Sequence, residues 1–460
     1  MIAIAILLTL SSILYGFAFL FHDYFWWSIF LFPIPLFYVH QTYQFSAIWG
    51  WWWSFCGILL HMIGIIQATI TIAQGPWHQA IIMAPIAIAL NGLIAIPLFY
   101  IINRQLKKTL LQRIVIFALS MTLYFYLLER AVLCIYDQCE GYMLLSPLIL
   151  LAKRPFLLRL LPYIGSLGYL FIFFSIIAYI TNIFFNSAKN TIKKSDYIFA
   201  ISSLLLILFL IIDNSKNQPS LLPEWYNQTV VIQQVFHKTL YLDTLAQSSR
   251  LLFINAHKEY PQASLFLMPE SSFYCDHIDK ETIHGSWNIN NYLTKEITIV
   301  TGAFRWHENK HRNTLFFIKN GKMIDMFDKR HAMLLIERSM HFFDHPIIRN
   351  LYFKNYHEII PSSNQRPIWK LNDSLIVTPY ICSELFFNYH PDDNHPKTTI
   401  LESCNDRWVP LYIKELLIYG AIKQAIQWQR DIIYTSFSNA LYITKHGDCI
   451  RLQTYPLIKK

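Results

Sequence analysis

Residues 1 to about 213 carry a succession of apolar stretches, and that asymmetry constrains the fold more than any motif. A bilayer-spanning helix takes about 20 mostly apolar residues. Stretches of that order lie at 2–21, 24–40, 45–72, 79–103, 114–136, 160–185 and 197–213, which predicts seven transmembrane helices. The first lacks a basic n-region and a small-residue cleavage site, so it reads as a retained helix rather than a signal peptide. Hydrophobic residues make up 54% of the 460-residue chain and charged residues 15%. A soluble domain carries about a quarter charged residues, so an all-soluble protein is excluded. The remainder is ordinary in composition, which divides the chain into a membrane bundle (1–213), a polar linker (214–226) with Pro219 and Pro223, and a water-soluble domain (227–460).

The net charge of +9 is concentrated where topology needs it. Arg104 to Arg113 and Lys189 to Lys194 are basic loops, and basic loops stay cytoplasmic. An even number of predicted spans separates them, so both place the amino terminus inside and residues beyond 213 outside. Lys153, Arg154 and Arg159 fall on the opposite side and oppose this orientation. The excess charge is therefore read as an orientation signal and not as a nucleic-acid surface. Glu129-Arg130 lies inside the predicted fifth span, where charges are rare and either paired or functional. The apolar stretch 143–151, interrupted by Pro147, is too short to cross and suggests a re-entrant or interfacial segment.

The seven cysteines show no spacing typical of a metal site, and nothing in the sequence calls for a cofactor. Cys134 and Cys139 are open to two readings: a disulfide in an oxidising compartment, or free thiols, which is the simpler.

In the soluble half, short β-branched runs alternate with helical stretches. Strands are predicted at 229–233, 264–268, 297–303, 314–319, 374–381, 398–401, 432–436 and 441–444, with helices near 239–258 and 410–429. Asn320-Gly321 marks a hairpin, and His446-Gly447-Asp448 a turn. Strands mixed with helices at this spacing predict a layered α/β domain.

Three stretches carry chemistry. Leu265–Met268 runs into Pro269-Glu270-Ser271; Phe327-Asp328 is followed by Lys329-Arg330-His331 and, later, Glu337; Ile376–Ile381 ends on Cys382-Ser383-Glu384. A thiol attacks as the thiolate, so a base must take its proton, and Glu270 is the candidate. Acyl transfer builds negative charge on oxygen, for which Lys329 and the backbone N–H after Cys382 are candidate stabilisers. Glu337 is a second carboxylate that could orient the lysine. Each residue alone has a bland explanation: a loop start, a solvated charged loop, a core cysteine. Their order, each after an apolar run, is what points to a site.

The soluble half resembles the carbon–nitrogen hydrolase (nitrilase) superfamily, and within it the apolipoprotein N-acyltransferase family. Pro269-Glu270-Ser271 is similar to that family's Pro-Glu-Ser, and Arg312-Asn313-Thr314 to its Tyr-Asn-Ser strand. Lys329 through Glu337 has the family's lysine-to-glutamate spacing. Cys382-Ser383-Glu384 resembles Cys-Tyr-Glu, and Asn405-Asp406-Arg407-Trp408 resembles Asn-Asp-x-Trp. The seven predicted spans fit as well, with Glu129-Arg130 loosely similar to a Glu-x-x-Arg-Gly motif. Departures are Leu334-Leu335-Ile336 for Pro-Phe-Gly, Ser383 for tyrosine, an altered 434–439 segment, and the expected lack of an eighth span following the soluble domain.

The resemblance implies an α-helical membrane bundle followed by a nitrilase-like αββα sandwich. It implies catalytic Glu270, Lys329 and Cys382, supported by Glu337, Glu384 and Asn313, with no metal and no cofactor. The implied reaction moves an acyl chain from a phospholipid, through a Cys382 thioester, to the terminal amine of a diacylglyceryl-lipoprotein. The expected setting is the bacterial inner membrane, as a monomer, with the catalytic domain outside the cytoplasm. Phe342-Phe343 and Phe386-Phe387 are candidates for an apolar mouth or for core. Two other readings stand beside it: a membrane-tethered amidase, or a catalytically silent partner resembling conjugal-transfer proteins of the TraB type.

Overall fold

The computed structural model describes residues 1–71, 81–82, 84–104, 109–135, 143–187, 222–233, 242–274, 296–307, 310–331, 365–386, 398–407 and 409–455. These fall into two compact units. The first gathers the described residues of Met1–Cys134, Glu140–Gln218 and Val409–Gln427; the second those of Ile135–Cys139, Pro219–Trp408 and Trp428–Lys460.

The first unit is helical. Its long members are α1 (Ile2–Leu20), α2 (Ile48–Thr71), α3 (Leu110–Ile135) and α4 (Leu161–Ser187). Among the described residues, three helices are long and apolar enough to cross a membrane: Ile2–Leu20, Leu110–Leu128 and Leu161–Phe185. The stretch 24–40, expected as one span, is instead broken into His22–Phe25, a 3₁₀ turn at Trp26–Phe30, and a helix over Pro33–Thr42. Pro33 and Pro35 lack the N–H that a continuous helix would need there, and proline is tolerated only in the first turn. The stretch expected at 79–103 likewise divides into Ala84–Gly92 and Ala95–Asn103. The span expected at 197–213 lies outside the described residues, as do the side chains of Glu129, Arg130, Cys134 and Cys139.

An aromatic cluster holds this unit together. The Tyr15 ring lies 5.2 Å from Phe32 and 6.3 Å from Trp53, and Phe125 stacks on Phe174 at 5.7 Å. Tyr15 Oη also donates to the Leu145 carbonyl at 2.5 Å. The five-residue helix Pro147–Leu151 is buried along its whole length.

One helix from the soluble half of the sequence belongs here: residues Val409–Gln427 cluster with the amino-terminal helices. Tyr412 is seated where Gly64 leaves room; a β-carbon on Gly64 would stand 2.3 Å from the tyrosine ring. Tyr412 Oη donates to the His61 carbonyl at 2.9 Å, and Glu415 approaches His22 Nε2 at 3.3 Å.

The second unit is α/β, with two sheets. Strands β1 (Thr229–Ile232), β2 (Leu265–Leu267), β3 (Phe273–Tyr274), β4 (Thr298–His307), β5 (Lys310–Lys319), β6 (Lys322–Asp328) and β13 (Gln453–Tyr455) form the first. Its order is β13-β1-β2-β4-β5-β6, with β3 beside β4. β7 (Trp369–Lys370), β8 (Ile376–Ile381), β9 (Thr399–Cys404), β10 (Ile432–Ser436), β11 (Ala440–Ile443) and β12 (Cys449–Arg451) form the second, ordered β12-β11-β10-β9-β8-β7.

The parallel strands β1 and β2 of the first sheet and β8, β9 and β10 of the second are buried along nearly their whole length, as strands covered on both faces are. On the first sheet, Val230, Ile232, Phe266, Ile299 and Phe316 pack with Phe253, Ile254 and Ala256 of helix α5 (Leu242–Glu259). Residues of the opposite parity reach the second sheet: the Phe317 ring lies 5.6 Å from Trp369. Trp369 Nε1 donates to Asp325 at 2.8 Å, and Thr298 Oγ1 to the Leu371 carbonyl at 2.9 Å. The expected hairpin is a two-residue loop in which Asn320 and Gly321 both have positive φ, 49° and 72°. That is the type I′ geometry whose twist suits a right-handed strand pair.

Candidate active site

The strand ends of the two sheets deliver the chemistry-bearing residues. β2 stops at Leu267, and Met268 donates its N–H to Val300 before Pro269 turns the chain to Glu270. Ser271 then adopts a left-handed φ of 55°. β8 stops at Ile381, and Cys382 also adopts a left-handed φ, 52°, at the start of the 3₁₀ turn Cys382–Phe386. Among the described residues only four non-glycine positions have positive φ, and two of them are at these strand ends. Each such position costs about 1–3 kcal/mol and persists only where the surroundings impose it.

Glu270 is 3% exposed. Its Oε1 accepts from Asn313 Nδ2, and its Oε2 accepts from the Asn405 backbone N–H at 2.6 Å. The Lys329 ammonium stands 3.7 Å from Oε1 and is itself 1% exposed. Two hydrogen bonds and the nearby lysine nitrogen give both carboxylate oxygens partners in a place where a buried polar group without them is costly. Glu270 also meets the candidate nucleophile: its carboxylate, Cys382 Sγ and Cys404 Sγ all lie within 4.8 Å of one another.

Lys329 is positioned from behind. Its N–H donates to the Asn313 carbonyl at 2.8 Å. The preceding residue, Asp328, receives Arg305 Nη2 at 2.6 Å, Arg305 Nε at 3.1 Å and Thr314 Oγ1 at 2.6 Å, all buried. This charge-assisted fork closes the end of β6 on β4 and β5.

Glu384 does different work. Its Oε1 accepts the backbone N–H of Arg330 at 2.6 Å and of His331 at 3.3 Å. Its Oε2 accepts Ile381 N–H at 2.9 Å and Arg366 Nη1 at 2.9 Å. One carboxylate thus ties the loop after the lysine to the elbow that carries the cysteine. Burial pushes the Glu384 carboxyl up, but Arg366, His331 and the hydrogen bonds outweigh it and hold the group below the usual carboxylate range. The Arg366 guanidinium lies 3.7 Å from the centre of the Tyr380 ring and 5.1 Å from that of Phe327.

Two groups beside the cysteine went unassigned in the sequence. Cys404, at the end of β9, lies with its sulfur 3.6 Å from that of Cys382. Glu402, two residues before it, is fully buried and neither oxygen has a hydrogen-bond partner among the described residues. It sits in register between Tyr380 and Tyr434, whose hydroxyls also lack partners. Burial first, then the Cys382 sulfur and the other carboxylates, pushes Glu402 well above the usual carboxylate range. Nothing in Leu401-Glu402-Ser403-Cys404 as a string announces this; only the pairing of β9 with β8 does.

Glu337, Phe342, Phe343 and Phe387 lie outside the described residues, whereas Phe386 is buried and reads as core. Glu270, Cys382 and Cys404 have the donor types and spacing to hold a metal ion. Lys329 already supplies a cation to that carboxylate, so the geometry suits an ammonium-assisted acyl site better. The assembled groups can deprotonate a thiol, place it at a strained turn, and offer an ammonium to developing negative charge.

No family model and no curated protein matches the chain. Among solved structures the chain is similar to a carbon–nitrogen hydrolase from Helicobacter pylori, at 9% identity and a TM-score of 0.34, covering 48% of this chain and 82% of that one. It is also similar to a CN-hydrolase superfamily protein from Xanthomonas campestris, at 15% identity and a TM-score of 0.33, covering 48% and 86%. A Saccharomyces cerevisiae member of branch 10 of the nitrilase superfamily is similar at 13% identity and a TM-score of 0.32, covering 48% and 83%. These structural neighbours are carbon–nitrogen hydrolase superfamily members.

Proposed function

We propose that the protein is a membrane-bound acyltransferase working through a thioester on Cys382. In this reading Glu270 takes the thiol proton, and Lys329 with the N–H groups after Cys382 stabilises the oxyanion. The acyl donor is a phospholipid and the acceptor the terminal amine of a diacylglyceryl-lipoprotein. The observation that carries the reading is the convergence on Glu270: one buried carboxylate held by Asn313 and Asn405, 3.7 Å from the Lys329 ammonium and within 4.8 Å of the Cys382 sulfur. Three apolar helices of spanning length support a site that works at a lipid surface. The basic loops at 104–113 and 189–194 support an extracytoplasmic site, and the setting in this reading is a bacterial inner membrane.

The chemistry divides in two steps. The Cys382 sulfur adds to the ester carbonyl, the tetrahedral oxyanion forms beside Lys329, and the lysophospholipid leaves with the proton held by Glu270. The incoming amine then attacks the thioester while Glu270 accepts its proton, and the thiol is restored.

The test is to incubate the full-length protein in vesicles with acyl-labelled phospholipid and look for a hydroxylamine-sensitive adduct. Wild type should carry it and Cys382→Ala should not. An adduct that persists in Cys382→Ala places the nucleophile elsewhere. Rapid release of free acid with no transfer to an amine acceptor favours the hydrolytic, amidase-like reading, and no adduct at all favours a silent partner.

A further inference from the structure

The acyl-transfer reading uses one of the two sulfurs in the site. Cys382 and Cys404 follow Ile381 and Ser403, which are paired across the parallel strands β8 and β9. Neighbouring strands run about 4.8 Å apart, inside the roughly 4.4–6.8 Å span that a disulfide bridges between α-carbons. The two sulfurs already stand 3.6 Å apart, so about 1.5 Å of closure brings them to bonding distance. Their exposures differ in a useful way: Cys382 is 7% exposed and Cys404 is fully buried. Cys382 is thus the more accessible of the two to a small oxidant. The hydrogen bond to Cys382, and then burial, keep the Cys404 thiol well above the usual thiol range, so it holds its proton in the reduced site and leaves Cys382 as the nucleophile.

From this geometry we propose that Cys382 and Cys404 form an oxidative-modification site, taking a peroxide and closing to a reversible intramolecular disulfide. The Cys382 sulfur attacks the peroxide; the O–O bond breaks, the sulfur becomes a sulfenic acid, and the alcohol or water leaves. The Cys404 sulfur then attacks Cys382 Sγ, breaking the S–O bond. The hydroxyl departs as water with the Cys404 proton, which Glu270, within 4.8 Å of both sulfurs, is placed to carry. Two thiols and one peroxide thus become one disulfide, one alcohol or water, and one water. A dithiol restores the pair by exchange. The neighbouring thiol intercepts the sulfenic acid before it advances to the irreversible sulfinic acid.

The experiment treats the full-length protein in detergent with hydrogen peroxide, alkylates the remaining thiols, and maps the digest by mass spectrometry without reduction. A Cys382–Cys404 cross-linked peptide pair is expected, lost on treatment with dithiothreitol. Cys404→Ser should show no cross-link and should accumulate sulfinic acid at Cys382 that dithiothreitol does not reverse. Cys382→Ser should leave Cys404 unreacted. Sulfinic acid at Cys382 in wild type beside an intact Cys404 thiol overturns the proposal, as does a cross-link from Cys382 to any other cysteine. If Cys404→Ser does not fold, the wild-type map decides alone. The readout is a covalent mass, so it stands or falls independently of any acyl chemistry at Cys382.

Discussion

A β-carbon on Gly302 would stand 2.7 Å from the Cα of Glu270 and 2.9 Å from the backbone nitrogen of Ser271. β4 therefore passes directly against the turn that carries the candidate base, and only the absence of a side chain permits it. Gly302→Ala must displace that turn. The expected cost is about 1–3 kcal/mol of stability, as for other overpacked sites. Displacing a catalytic group by about 1 Å can cost on the order of 100-fold in rate. Thermal unfolding and the rate of thioester formation measure the two effects. An alanine variant with unaltered melting and unaltered rate would show that the turn is not held where Gly302 places it.

Lys329→Met removes the ammonium beside Glu270 while keeping much of the stem's volume. Lost oxyanion donors cost about 10²–10³-fold in rate, and thioester formation should fall by that order. Acylation at the wild-type rate in a folded Lys329→Met would remove the lysine from the mechanism.

Glu384→Ala should damage the site without touching a reacting atom. It leaves Arg366 buried without its partner and frees the backbone N–H groups of Arg330, His331 and Ile381. Breaking a buried ion pair on one side costs about 3–5 kcal/mol, to be read by denaturant unfolding of the soluble unit's signal. Because Glu384 sits below its ordinary range, its contribution is present above that range and is lost as pH falls through the folded value. Wild type should thus lose stability on acidification more steeply than Glu384→Ala. Parallel acid profiles for the two proteins would contradict the brace.

Much of this arrangement is legible in the sequence because the signals are local. The β-branched run Ile432–Ser436 is a strand over its full extent, and Asn320-Gly321 specified a hairpin through the two positive φ values that a type I′ turn requires. Pro269-Glu270 and Cys382 are legible as strand-end residues for the same reason. What stayed hidden depends on pairing. Arg366 reaches Glu384 across 18 positions, and Cys404 reaches Cys382 only because β9 lies beside β8. The stretch 24–40 misled because its hydropathy suits a span, whereas Pro33 and Pro35 decide its backbone. The stretch 410–429 reads as a helix and Leu411–Trp428 forms one, but its place with the amino-terminal helices rests on Gly64 and Tyr412, far apart in the chain.

Glu402 gives the sharpest pH prediction. Both of its oxygens are buried without a hydrogen-bond donor among the described residues, between two tyrosines whose hydroxyls have no partner among them either. Burial and the Cys382 sulfur raise its folded-state value well above 4.5, the ordinary value. A carboxyl raised in this way stabilises the fold fully below the ordinary value, where it is protonated in both states. That contribution is lost as pH rises, at up to about 1.4 kcal/mol per pH unit, until the folded value is reached. Glu402→Gln keeps the shape and removes the titration. Its melting temperature relative to wild type should therefore climb steadily as pH rises above the ordinary carboxylate range, with the smallest advantage in acid. A difference that stays flat across that range would mean that Glu402 is ionised and satisfied in the folded protein.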